Sequence, residues 1–220
     1  MEPERIVIPV DSERVSGLLL RPAGAKAFYL FAHGAGTNMA HKSMASNAEG
    51  LAARGIATLR YNFFYTQKGS KRPDAPKLAH VAVRAAAKVA NDLAGHLPLF
   101  AGGRSFGGRM TSQAQAIHPL PGVRGLAFLG FPLHPAGKAG IERAEHLSKV
   151  EVPMLFVSGS RDALGELDLL KPLVAGLSER AALHIVEHAH HSFKVAKASG
   201  RTSADAEAEA LDALARWMPG

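Results

Sequence analysis

The run Gly103-Arg104-Ser105-Phe106-Gly107 has the G-x-S-x-G form in which a serine stands on a sharp turn between a strand and a helix. Small residues on either side let the chain fold tightly beneath the hydroxyl. A helix starting at Phe106 would aim backbone N–H groups and the positive end of its dipole at any negative charge formed there. The pentapeptide alone is a common pattern, and a glycine-rich turn that only binds an anion could carry it. What makes it a candidate nucleophile is the apolar run 97–101 before it and the helical pattern 106–117 after it.

A serine hydroxyl is a poor nucleophile until a base takes its proton. In a strand–turn–helix setting the acid and then the histidine follow the serine, each just beyond a strand end. The apolar run 152–158 leads into Gly159-Ser160-Arg161-Asp162, and the run 183–187 leads into His188-Ala189-His190-His191-Ser192-Phe193. Asp162 is therefore the candidate acid and His191 the candidate base. His190 is a rival base. Glu166 and Asp168 are rival acids, but they fall within the helical pattern 166–177, where they read as a solvated face. His188 and His190 otherwise read as polar loop residues.

Stabilising the oxyanion of acyl transfer takes two backbone donors. One is the N–H of Phe106. The other is expected after the apolar run 28–33, where His33-Gly34-Ala35-Gly36 puts two glycines around Ala35. The Ala35 N–H is the second candidate, and His33 reads as a residue that fixes the loop. Removing one such donor typically costs about 3 kcal/mol of transition-state stabilisation. Arg104 and Arg60 are candidate substrate-binding residues, with Arg109 and Arg161 nearby, because a guanidinium fork suits carboxylate or phosphate. The competing reading has Arg104 packed beneath the loop, tied to backbone carbonyls or to a carboxylate.

The elements that must position these groups can be read from apolar periodicity. Residues 5–10 and 15–21 form a hairpin. Strands follow at 28–33, 56–61, 97–101, 123–129, 152–158 and 183–187. Helical patterns lie at 45–54, 78–93, 106–117, 166–177 and 203–217. Residues 62–77 read as one polar loop. About eight strands alternating with helices predict an α/β class with a doubly wound, mainly parallel sheet in a single domain, 1–220, with no segment left for a large lid.

Of the 220 residues 47% are hydrophobic and 20% charged, a soluble globular balance. Absence of cysteine rules out disulfides, thiolate metal sites and a cysteine nucleophile, and fits a reducing cytoplasm. The histidines lack zincin spacing and no P-loop occurs, so neither a metal nor another cofactor is expected. The net charge is +7, but lysines and arginines are scattered, so a nucleic-acid partner is not expected. Residues 1–10 lack the apolar core of a signal peptide, and no apolar run is long enough for a membrane span. The expected partner is a small acyl substrate, and the expected location is cytoplasmic.

The sequence also resembles the α/β-hydrolase superfamily over nearly its whole length, on its dienelactone-hydrolase-like side. Within it the chain is similar to a small predicted-hydrolase family related to the testis-expressed and nonspecific-lethal-complex α/β-hydrolase-like proteins. The resemblance rests on His33-Gly34-Ala35-Gly36 with Met39 and His41, Arg60-Tyr61-Asn62-Phe63, Gly102 through Met110, Gly130-Phe131-Pro132-Leu133-His134, Gly159 through Asp162, and His191-Ser192-Phe193. It implies Ser105, Asp162 and His191 as a triad. His188 and His190 stand where relatives often carry Gly and Asp. The expected function is a serine hydrolase cleaving a small carboxylic ester, lactone or related acyl substrate through an acyl-enzyme. The alternative is a non-catalytic interaction module on the same fold.

Overall fold

In the computed structural model, which describes residues 1–218, one eight-stranded sheet runs through the molecule in the order β1-β2-β4-β3-β5-β6-β7-β8. The strands are β1 (Glu4–Val10), β2 (Glu13–Leu20), β3 (Ala27–Ala32), β4 (Ile56–Tyr61), β5 (Leu99–Arg104), β6 (Val123–Leu129), β7 (Met154–Gly159) and β8 (Ala181–Val186). β1 and β2 pair antiparallel, as do β2 and β4; every other neighbouring pair is parallel.

Helices cover both faces, as a mainly parallel sheet requires. On one face lie α1 (Lys42–Ala52) and α6 (Ser203–Trp217), packed over Tyr29, Phe31, Leu129 and Val157. On the other lie α3 (Pro76–Ala94), α4 (Phe106–Ile117) and α5 (Leu167–Gly176), over Phe28, Leu30, Phe128 and Phe156. Alternate residues of β3 enter opposite cores, so this central strand is apolar throughout. α3 buries Ala79, Ala82, Ala86 and Ala90, a small-residue stripe at helical spacing that lets its axis lie close to the sheet.

Two sequence expectations needed adjusting, and one element was not anticipated. The polar loop 62–77 is not continuous: α2 (Phe64–Gln67) forms inside it and α3 begins at Pro76, whose missing N–H costs nothing at a helix start. A 3₁₀ segment, Glu142–Lys149, follows the Pro/Gly loop after β6. β5 continues through Gly102 and Gly103 to Arg104, so the glycines belong to the sheet rather than to the turn. Among the described residues none forms a separate lid, and no helix is long and apolar enough to cross a membrane.

The chain leaves β3 toward β4 on one side and returns to β5 on the other. The carboxyl ends of β3 and β5 thus flank the point where strand order reverses, the place where doubly wound sheets form ligand crevices.

Candidate active site

Ser105 follows β5 and caps α4 with φ 46° and ψ −115°, a left-handed conformation that non-glycine residues rarely adopt. The strain is held by contacts on both sides. A Cβ at Gly103 would stand 2.3 Å from the Ala32 carbonyl oxygen, and one at Gly107 would stand 2.5 Å from that of His33. Only glycine at both positions lets the turn settle against the end of β3.

His191 follows β8, and its Nε2 lies 2.9 Å from the Ser105 Oγ. Its Nδ1 lies 2.9 and 2.8 Å from the two oxygens of Asp162, which follows β7 and is 2% exposed. With the Nδ1 proton directed at the carboxylate, Nε2 keeps a lone pair facing the hydroxyl. Asp162 Oδ1 also accepts the Leu164 N–H at 2.9 Å, which fixes its orientation. Behind the imidazole sits Gly130, where a Cβ would be 3.3 Å from the ring and 2.9 Å from the His191 carbonyl oxygen. The rivals lie elsewhere. The exposed His190 makes no side-chain hydrogen bond among the described residues, and Glu166 pairs with the buried His134 at 2.5 Å.

The loop after β3 closes the other side. His33 is fully buried and bridges this loop to the next: its Nδ1 lies 2.9 Å from the Gly34 carbonyl oxygen, and its Nε2 accepts the Phe63 N–H at 3.3 Å. Burial holds its imidazole at about 4, against a usual value of 6.5, so it is neutral. Gly34 packs against the elbow, a Cβ there lying 3.9 Å from that of Ser105. Neither the Ala35 nor the Phe106 N–H is engaged by another group among the described residues.

A cleft of about 760 Å³ opens over Ser105 between the N-terminal ends of α1 and α6. Ala35, Leu129, Leu164 and Phe193 supply apolar wall, while Lys42, Lys194 and Glu207 bring charge. Sequence reading did not single out these last three or Asn47, because nothing local in the chain announces helix ends converging on a distant turn.

The two candidate substrate arginines part company. Arg60 does not line the cleft; it is 3% exposed and its Nη1 donates to the Met39 carbonyl oxygen at 2.9 Å. Arg104 does line it, but its side chain is only 12% exposed and is already partnered. Its Nη1 donates to Asn47 Oδ1 at 2.7 Å and lies 3.6 Å from Glu207 Oε1, while Asn47 Nδ2 donates to that same carboxylate at 2.9 Å. The guanidinium also stands 5.7 Å from the ring centre of Phe193, two residues beyond His191.

A model of the alpha/beta hydrolase domain family matches residues 25–219. Among solved structures, a dienelactone hydrolase from Anabaena variabilis is similar over 100% of this chain and 96% of its own, at 24% identity and TM-score 0.73. An alpha-beta serine hydrolase homologue from Coxiella burnetii aligns over 97% and 98% of the two chains, at 20% identity and TM-score 0.76. A lidless a/b serine hydrolase from Xanthomonas campestris aligns over 100% and 97%, at 19% identity and TM-score 0.74.

Proposed function

Because the chain belongs to the alpha/beta hydrolase domain family, we propose that it is a serine hydrolase acting on a small carboxylic ester or lactone. The observation that carries this reading is the unbroken row from the Ser105 hydroxyl through the His191 ring to the Asp162 carboxylate, with contacts of 2.9 and 2.8 Å. Ser105 Oγ attacks the substrate carbonyl while Nε2 of His191 takes its proton. Asp162 holds the ring and stabilises the imidazolium. The carbonyl oxygen becomes an oxyanion that accepts hydrogen bonds from the Ala35 and Phe106 N–H groups. Collapse breaks the bond to the alkoxy group, which leaves with the proton from His191. Water, deprotonated by the same imidazole, then attacks the acyl-Ser105 ester and releases the acid.

The relatives named dienelactone hydrolase and serine hydrolase are in keeping with acyl chemistry on this fold. Arg104 is proposed to support the elbow, and Arg60 to support the loop around Met39, rather than to bind substrate.

The test is labelling of the full chain with a fluorophosphonate, with turnover of aryl esters and lactones measured in parallel. Ser105→Ala should abolish labelling while circular dichroism is unchanged. Asp162→Asn should lower turnover by roughly 10⁴-fold, since the amide favours the wrong tautomer. His191→Ala should be at least as severe, and His190→Ala close to silent. Full labelling of the Ser105→Ala variant would overturn the assignment.

A further inference from the structure

Outside the cleft, three elements turn cation-forming side chains toward one another. His80 and Arg84 lie four residues apart on α3, and Arg109 lies three and four residues before Ser112 and Gln113 on α4, so each set shares a helix face. Arg143 and His146 lie three apart in the 3₁₀ segment Glu142–Lys149, where such positions eclipse. The contacts follow that pattern. His80 Nε2 meets Gln113 Oε1 at 3.1 Å, and His146 Nε2 meets Ser112 Oγ at 2.8 Å. The Arg109 guanidinium lies 5.9 Å from the ring centre of Phe106 and does not line the cleft.

The charge here is one-sided. Among the described residues none of Arg84, Arg109 or Arg143 forms an ion pair with a carboxylate. Arg84 donates to the carbonyl oxygens of Ala114 and His118, and Arg143 to that of His134 at 3.0 Å. Arg109 has a buried Nε with no hydrogen-bond partner. Glu142 and Glu145, one residue out of step with Arg143 and His146, fall on another face of the 3₁₀ segment. Burial and the neighbouring Arg143 bring Arg109 down to about 10. Burial, then Arg109 and His80, hold His146 at about 4, and burial likewise lowers His80. Desolvation first, and guanidinium charge second, thus disfavour a proton on both imidazoles.

We propose that the junction of α3, α4 and the 3₁₀ segment is an oxyanion-binding site, separate from the catalytic cleft, that takes a phosphate or carboxylate group on Arg109 and Arg143. The Arg109 guanidinium is half removed from water, is repelled by a second one and makes no side-chain hydrogen bond or ion pair among the described residues, so its terminal nitrogens gain both hydrogen bonds and charge balance from an anion. His80 and His146 flank the position.

The site is tested by binding, independently of turnover. The full chain is titrated with inorganic phosphate and, separately, with acetate, at ionic strength held constant with chloride. Melting temperature and the imidazole NMR resonances of His80 and His146 are followed. A saturable rise in Tm with shifts at both histidines is expected. Arg109→Gln and Arg143→Gln should each weaken binding about tenfold, the usual worth of a hydrogen bond to a charged group. Arg5→Gln, at an exposed position of strand β1, should not. A response to phosphate alone or to acetate alone identifies the anion. Because the imidazole shifts are read on the unmodified protein, a variant that fails to fold does not blunt the test. The proposal is overturned if neither anion exceeds chloride, if the histidines do not respond, or if binding survives both arginine substitutions.

Discussion

His33 shows how one buried side chain can tie the loop beside Ser105 to the pH of the solution. Its ring joins the backbone at Gly34 to that at Phe63 and has no access to solvent. In the unfolded chain it takes up a proton near pH 6.5, whereas in the folded chain it does so only near 4. Between those values the unfolded state binds the extra proton, so stability falls as the solution is acidified through that window. The full linkage amounts to about 3 kcal/mol by pH 4. Partly buried His146, also held at about 4, adds a smaller contribution of the same sign. Urea midpoints measured from pH 7 to pH 4 should therefore fall, and His33→Gln should flatten much of that slope. An unchanged slope in the variant would mean that other groups, carboxylates foremost, govern acid unfolding.

At the scale of elements, two helices from distant parts of the chain reach the elbow through one guanidinium. α1 supplies Asn47 and α6 supplies Glu207, and both hold Arg104, the residue before Ser105. Since Arg104 also faces Phe193, this arrangement braces the serine turn against the histidine loop. Asn47→Ala removes the 2.7 Å contact and should lower kcat about tenfold, a barrier increase near 1.4 kcal/mol from a slightly misplaced nucleophile. KM should stay within about twofold, because Asn47 does not line the cleft. An unchanged kcat would reduce Arg104 to packing. Such links explain what could be read from the sequence. Ser105, Asp162 and His191 each stand just past an apolar run, so the order of the strands is enough to bring them together. Glu207 could not be paired with Arg104 in that way, because their meeting depends on how α6 lies across the sheet. α2 escaped for a related reason. Four residues are too few to show a period, and it forms where Phe64 and Tyr65 are buried by the rest of the molecule. The glycines at the end of β5 read as loop because a strand is recognised by side chains, and these have none.

For the whole molecule, the question is how a net charge of +7 is felt at the cleft. Four charged residues line it: Lys42, Arg104, Lys194 and Glu207. Arg104 and Glu207 lie 3.6 Å apart and largely cancel, which leaves Lys42 and Lys194 as exposed charge at the walls with no ion pair among the described residues. An ester with a free carboxylate on the part of the substrate lying toward α1 and α6 should then be preferred over a neutral ester of equal size. Exposed charge pairs are worth about 0.2–1 kcal/mol each, so the preference in kcat/KM should be a few-fold rather than a thousand-fold. It should shrink as salt rises, since the Debye length falls from about 10 Å at 0.1 M to about 3 Å at 1 M. Lys42→Gln with Lys194→Gln should remove it while leaving neutral-ester turnover near its original value. Arg60→Lys should leave the preference intact, because Arg60 lies outside the cleft and points at the Met39 carbonyl. Measured on matched neutral and anionic aryl esters at two salt concentrations, equal kcat/KM values would show that these lysines serve the surface and not the substrate. A preference that survives high salt and the double substitution would return the selection to Arg104, with its pairing to Glu207 opened by the bound carboxylate.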